Sequence, residues 1–412
     1  MNKSTLHLIW LGLFISLLSI GNFFSLLLHI PIYLLAVLMA AAGVLSFRYI
    51  VRHTRNETTG TISRPAFYVL GGGIALLTAA CVLLVRKHGD TDAVGNWNFA
   101  SKFLADPAHW RQLLWYGGAD AHPDYPMGYY GATSFFWRLL GNETLMAPLG
   151  ISLFATVAIP VMIFLEVSKR HLGVATLLLL LLVVHPYYLN CGLNQYADTL
   201  LSFYILSAIL CINQFRQSGN RVWLLLCSAS LGAALWVKNE GIFTCALFGL
   251  FYFKTFLSKN HLRYTIGGAL PFVLALGVFR LGFAPANDIA AVYETGGNTG
   301  ITSLITDKER YKLIVSFMKG SFDNIFSMLK LLTMVYLGYS ILVQKNLSRN
   351  FYLLAGIFAC YLFVYLITPR NLQWHLATSF DRLVVQLYPS ALLVIGLALS
   401  EIKLPATFTS NK

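Results

Sequence analysis

Residues 144–165 read TLMAPLGISLFATVAIPVMIFL, without a charged side chain among them. As a helix rising 1.5 Å per residue, such a run is about 33 Å long and crosses a hydrocarbon core about 30 Å thick. Similar runs recur on both sides of it. They predict twelve spans, at about 6–22, 29–47, 65–85, 144–165, 172–190, 196–214, 222–237, 241–257, 264–283, 324–343, 351–369 and 383–400. The 412-residue chain is 57% hydrophobic and only 11% charged, whereas a soluble protein carries about 25% charged residues. This excludes a water-soluble globular enzyme and predicts an all-α polytopic membrane protein embedded in a lipid bilayer. The net charge of +13 would suggest nucleic acid in a soluble chain, but the membrane accounts for it and no nucleic-acid partner is expected. The six cysteines lack CxxC or Cys/His spacing, so neither a disulfide framework nor a zinc site is expected.

Lys and Arg in short loops are retained in the cytoplasm. Alternate connections are basic: Arg48, Arg52, Arg55 and Arg64; Lys169 and Arg170; Arg216 and Arg221; Lys254, Lys259 and Arg263; Lys345 and Arg349. With Lys3, Lys403 and Lys412 they define one side, where the acids are Glu57, Glu166 and Glu401. The pattern predicts cytoplasmic termini and an uncleaved first span. The opposite side carries two long connections, 86–143 and 284–323, with an interfacial helix expected near 309–322. Long loops are uncommon unless functional, so the activity of this single transmembrane domain, 1–412, is expected outside the cytoplasm. Gly-rich phosphate loops of the Walker or Rossmann type are lacking, and no repeat suggests inverted halves.

Five polar strings fall on the external side. Asp90-Thr91-Asp92-Ala93 opens a helix-like run that carries Trp97, Phe99 and Phe103. Asp90 or Thr91 suits a helix N-cap; alternatively Asp90 or Asp92 is a general base, partly desolvated at the membrane surface. In His122-Pro123-Asp124-Tyr125-Pro126 two prolines bracket an acid and an aromatic. They form a rigid turn that would hold Asp124 and Tyr125 in place. Asn194-Gln195-Tyr196-Ala197-Asp198 places Asp198 just inside an apolar run. A carboxylate there costs on the order of a few kcal/mol unless paired or wet, although an N-cap would also explain it. Lys238-Asn239-Glu240-Gly241 forms a whole external hairpin. It reads either as a solvated turn or, because Lys238 breaks the retention rule, as a cation with an anionic partner. Finally, the connection from Pro369 to Arg382 carries Arg370, Trp374, His375, Asp381 and Arg382. Arg370, His375 and Arg382 can converge on a phosphate, or Asp381 and Arg382 can pair with each other.

Together these strings resemble the bacterial integral-membrane C-type (GT-C) glycosyltransferases, near the protein mannosyltransferase and lipid A aminoarabinose transferase group. The resemblance rests on Thr91-Asp92-Ala93 with Trp97 and Lys102-Phe103-Leu104, His122 to Pro126, Tyr196-Ala197-Asp198, Lys238 to Gly241, and Trp374 to Ser379 with Asp381-Arg382. It spans about 90 to 390. It implies a bundle of about 12 transmembrane helices whose first external loop carries short helices over a membrane-level cavity. It further implies transfer of a sugar from a polyprenyl-phosphate donor to a lipid, glycan or protein hydroxyl, at the periplasmic face of the bacterial inner membrane. An acid of the first external loop is the base in such enzymes, which maps onto Asp92. Many members place two acids side by side; here Thr91 separates Asp90 from Asp92, and both stay candidates together with Asp124. Lys238 and Arg382 map onto donor-phosphate contacts. The further substrate-binding candidates are His122, Tyr125, Tyr196, Asp198, Asn239, Glu240, Arg370, Trp374, His375 and Asp381.

The chemistry fits these residue types. A lipid phosphate leaving group needs cations as charge develops on it, and the acceptor hydroxyl needs a base on the opposite face of the sugar. One carboxylate and a set of cations suffice for a single inverting displacement. No cofactor is expected; Asp90, Asp92 and Asp124 could hold a divalent metal, but none is assigned. Two rival readings are a polymerase or ligase that hands over a preassembled lipid-linked glycan, and a secondary transporter with Asp198 and Lys330 along its path.

Overall fold

The computed structural model describes residues 1–115, 122–286 and 300–401. Among these the chain is helical, with α1 (Lys3–Leu27), α2 (Ile32–Thr54) and α3 (Arg64–Leu84) as its first three long helices. The connection 86–143 contains a π-turn at Ala93–Trp97, α4 (Asn98–Ala105), a 3-10 turn at Trp110–Trp115 and α5 (Gly128–Leu140). Then come α6 (Met146–Val167), α7 (Leu172–Val183), α8 (Pro186–Leu193), α9 (Ala197–Ser218), α10 (Val222–Val237), α11 (Gly241–Phe256) and α12 (Leu262–Gly282). The second long connection holds α13 (Ile301–Thr306) and α14 (Lys308–Asn324), and α15 (Ser327–Tyr339, continued by a π-turn to Gln344), α16 (Arg349–Ile367) and α17 (Leu372–Leu399) complete the bundle.

Every span expected from the sequence overlaps helix. Among the described residues nine helices are long and apolar enough to cross a membrane singly. The expected span 172–190 is instead α7 and α8, bent by 59°. The bend has a local cause: Pro186 cannot donate to the preceding turn and drives His185 out of helical geometry (ψ 111°). The His185 imidazole then caps α8 by accepting from the Tyr188 N–H. Helices α10 and α11 have 16 residues each, about 24 Å of helix, so length supports nine or ten crossings and does not fix the count at twelve.

Burial orders the bundle. In α9 the most apolar stretch is 89% buried, whereas in α3 it is 11% and in α2 17%. Helix α9 is therefore the central post, and α2 and α3 turn Leu and Val side chains outward, as lipid-facing helices do. Helix α10 packs closely on α12, because Gly268 lies against the Leu225 carbonyl and Gly232 against the Phe272 ring. Lys330, which the sequence puts inside a span, sits in the first turn of α15 and pairs with Asp323 of α14.

The two ends of the bundle differ. At one end the Met1 amine donates to Gln214, Asn220 and Trp223 donate to Glu57, and Arg170 meets Glu401 at 2.7 Å. The basic connections and the N-terminus thus gather there. The five polar strings gather at the other end, where the side chains of the long first connection meet those before α9, after α10 and in α17.

Candidate active site

The loop that follows α3 is fitted onto the start of α9. Gly89 takes a left-handed turn (φ +76°) and lies so close to the Asn194 carbonyl that a Cβ would stand 3.0 Å from it. Gln195 donates to the carbonyls of Arg86 and Lys87 and accepts from Asn98, which ties both sides of the π-turn to one residue. This seating separates the roles of the two aspartates. Asp90 opens the helical turn: its carbonyl accepts from the Val94 N–H, its side chain accepts from the Thr91 N–H, and Arg86 pairs with it at 3.1 Å. Asp92, two residues on, turns its carboxylate toward Trp97 and Arg382.

At Asp92, Oδ1 accepts from Asn96 at 2.9 Å, and Oδ2 accepts from the Trp97 indole at 2.7 Å and from Arg382 at 2.8 Å. The Arg382 guanidinium reaches on to Oδ2 of Asp198 at 2.9 Å and lies 4.6 Å from the Tyr196 ring centroid. Asp198 is wholly buried, and its Oδ1 accepts from Lys238 at 2.9 Å and from Gln386 at 2.6 Å. Lys238 in turn contacts Glu240 at 3.0 Å. Residues from four distant strings therefore form one chain, Asp92–Arg382–Asp198–Lys238–Glu240, in which three carboxylates face two cations. Burial alone would lower the Lys238 pKa, but the Asp198 and Glu240 carboxylates outweigh it and raise it, so the ammonium stays charged. Burial pushes the Tyr196 phenol up to about 12.

An aromatic wall backs this chain. His122 stacks on Tyr125 with ring centroids 4.7 Å apart, and Tyr125 stacks on the buried Trp97 at 5.6 Å. The Lys238 ammonium lies 5.8 Å and 6.0 Å from the Tyr125 and Trp97 rings, at the reach of a cation–π contact. Asp124, 1% exposed, accepts from Asn239 at 2.7 Å and lies 3.8 Å from Arg280, which also donates to Asn239.

Several expectations need correction. The string 370–382 is not a loop; from Leu372 onward it is the first turns of α17. Arg370, His375 and Arg382 do not converge. His375 bonds Thr368 and lies edge-on to Tyr365, Arg370 lies over the Trp374 ring, and Arg382 sits two helical turns beyond His375 with Asp92 and Asp198. Asp381 pairs with the Ser321 hydroxyl of α14 and not with its neighbour Arg382. Asp198 is not an N-cap: Tyr196 holds that position, and Asp198 lies in the first turn with its carboxylate on charged partners. Lys238 and Glu240 are no solvated turn, since Lys238 is 3% exposed. Among the described residues no group of three His, Cys, Asp or Glu side chains is arranged to hold a metal ion.

Sequence reasoning missed Gln386, Arg280 and Gln195 as parts of the site. Gln386 was legible in principle, because it lies four residues after Arg382 and so on the same face of one helix. Arg280 and Gln195 meet partners 156 and 97 positions away in the sequence, at Asp124 and Asn98, and no local pattern announces them.

Comparison of the chain with protein-family models, with characterised proteins and with solved structures finds no match.

Proposed function

We propose that this protein is a membrane glycosyltransferase of GT-C type. It transfers a sugar from a polyprenyl-phosphate donor to a hydroxyl acceptor at the end of the bundle that carries Asp92, which faces the periplasm from the bacterial inner membrane. The observation that supports this most is the contact of Asp92 with Arg382, a carboxylate and a guanidinium 290 positions apart at the partly open end of a buried charge chain. Both side chains keep 17% of their surface exposed, whereas Asp198 and Lys238 behind them keep 0% and 3%.

In a single displacement the acceptor oxygen attacks the anomeric carbon while its proton passes to Asp92. The bond from that carbon to the phosphate oxygen breaks, and the phosphate takes the electron pair. Oδ1 of Asp92 has one donor on it, from Asn96, and retains a lone pair for that proton. Arg382 offers planar donors to the departing phosphate. Lys238 is too deeply set to be the first contact; it holds Asp198, which in turn orients Arg382. As the phosphate arrives, Arg382 exchanges part of its contact with Asp92 for the phosphate, which frees the carboxylate to act as a base.

Purified protein supplied with a polyprenyl-phospho-monosaccharide and a hydroxyl acceptor tests this reading. Transfer of the single sugar supports it. Strict dependence on a diphosphate-linked oligosaccharide would make the protein a polymerase or ligase, and solute flux without transfer would make it a transporter.

A further inference from the structure

A cleft of about 580 Å³ opens beside the turn between α1 and α2, against α4 and the end of α5, and shares no residue with the charge chain around Asp198. Its lining includes Ile30, Pro31 and Ile32 on one part and Arg138 on another. The Arg138 guanidinium spends one nitrogen, NH1, on two neutral acceptors, Oδ1 of Asn22 and Oγ of Ser25. Its Nε and NH2 make no hydrogen bond and it has no carboxylate partner among the described residues. The acids of the cleft are already matched: Glu143 pairs with Lys102, and Asp106 accepts from His109 and the Ala108 N–H. A half-buried cation with spare donors in fork geometry suits a tetrahedral oxyanion. His29, exposed on the rim, takes the left-handed backbone (φ +55°) that ends α1, where the Ile30 N–H bonds back to the Ser25 carbonyl.

We infer that this cleft is a second anion site, which takes the phosphate headgroup of an amphiphile on Arg138 and lays its hydrocarbon along the wall of Ile30, Pro31 and Ile32. The apolar wall continues into α2, whose outer face is mostly uncovered by the rest of the chain, so that a lipid tail can leave the cleft without crossing polar surface. A free inorganic phosphate would satisfy Arg138 but leave that wall unused.

The test is binding of dioctanoyl phosphatidic acid to the full-length protein in a neutral detergent, measured by native mass spectrometry beside inorganic phosphate and neutral dioctanoylglycerol. Saturable binding of the phosphatidic acid alone is expected, weakened tenfold or more by Arg138→Gln and much less by Arg138→Lys. Asn142→Trp at the exposed rim should obstruct the cleft and give a comparable loss even if Arg138→Gln proves unstable. Undiminished binding in both Arg138→Gln and Asn142→Trp would overturn the proposal. So would loss of binding in Arg382→Ala but not in the cleft variants, which would assign the phosphate to the other centre. Equal affinity for inorganic phosphate would overturn the amphiphile. Because sugar transfer is not the readout, the outcome does not depend on the proposed enzymatic activity.

Discussion

Asp198 shows how a buried charge is made tolerable. It is wholly buried, and four donors from Lys238, Gln386 and Arg382 surround its two oxygens. It also lies in the first turn of α9, where the helix dipole favours an anion. Removing one member of a buried pair leaves the other uncompensated and costs about 3–5 kcal/mol. Asp198→Asn should therefore lower the thermal midpoint in detergent markedly. Adding Lys238→Met to it should recover part of the loss, because the stranded ammonium is removed as well. If the double variant is as unstable as the sum of the two single changes, the pair is not coupled in this way. Arg382→Ala removes the proposed phosphate contact and should weaken donor binding by tens of fold or more, as loss of a charge-assisted contact implies. Unchanged donor affinity, measured by titration, would refute that role.

Among the helices, the close contact of α10 with α12 depends on glycine. A Cβ at Gly268 would run into the Leu225 carbonyl, backbone against backbone, with no flexible side chain to yield. Gly268→Ala should cost about 1–3 kcal/mol, visible as a lower midpoint in a thermal scan, and an unchanged midpoint would show that the helices separate freely. The loop 86–105 depends on Gln195 in the same way. Gln195→Ala should raise hydrogen exchange across that loop and slow turnover while sparing donor affinity; unaltered exchange would mean that other contacts seat it. The long apolar runs made most of these helices legible in the sequence, because hydrocarbon thickness sets their length. The start of α17 was not legible, since Arg370, His375, Asp381 and Arg382 look like loop composition although residues from Leu372 on are helical and several of these side chains meet partners on other helices. The site was half legible: its members were visible as isolated strings, but their pairing was not. Asp92 and Arg382 meet only because the bundle closes.

For the molecule as a whole, the polar strings gather at one end and the basic connections at the other, and the proposed reaction requires the polar end to face away from the cytoplasm. Trp115, 86% exposed on the first long connection, is a site to test this. A cysteine introduced there by Trp115→Cys should react with a membrane-impermeant maleimide in intact spheroplasts, and reaction only after lysis would reverse the orientation. The central claim is that Asp92, hydrogen-bonded to Arg382, is the base, and a single-turnover assay of sugar transfer by purified Asp92→Asn protein, with donor binding measured in the same preparation, tests it most directly. Loss of a general base is worth about 10²–10⁴-fold in rate. The account predicts a fall of that size with donor affinity nearly unchanged and with Asp90→Asn much milder; near-normal transfer by Asp92→Asn would contradict it.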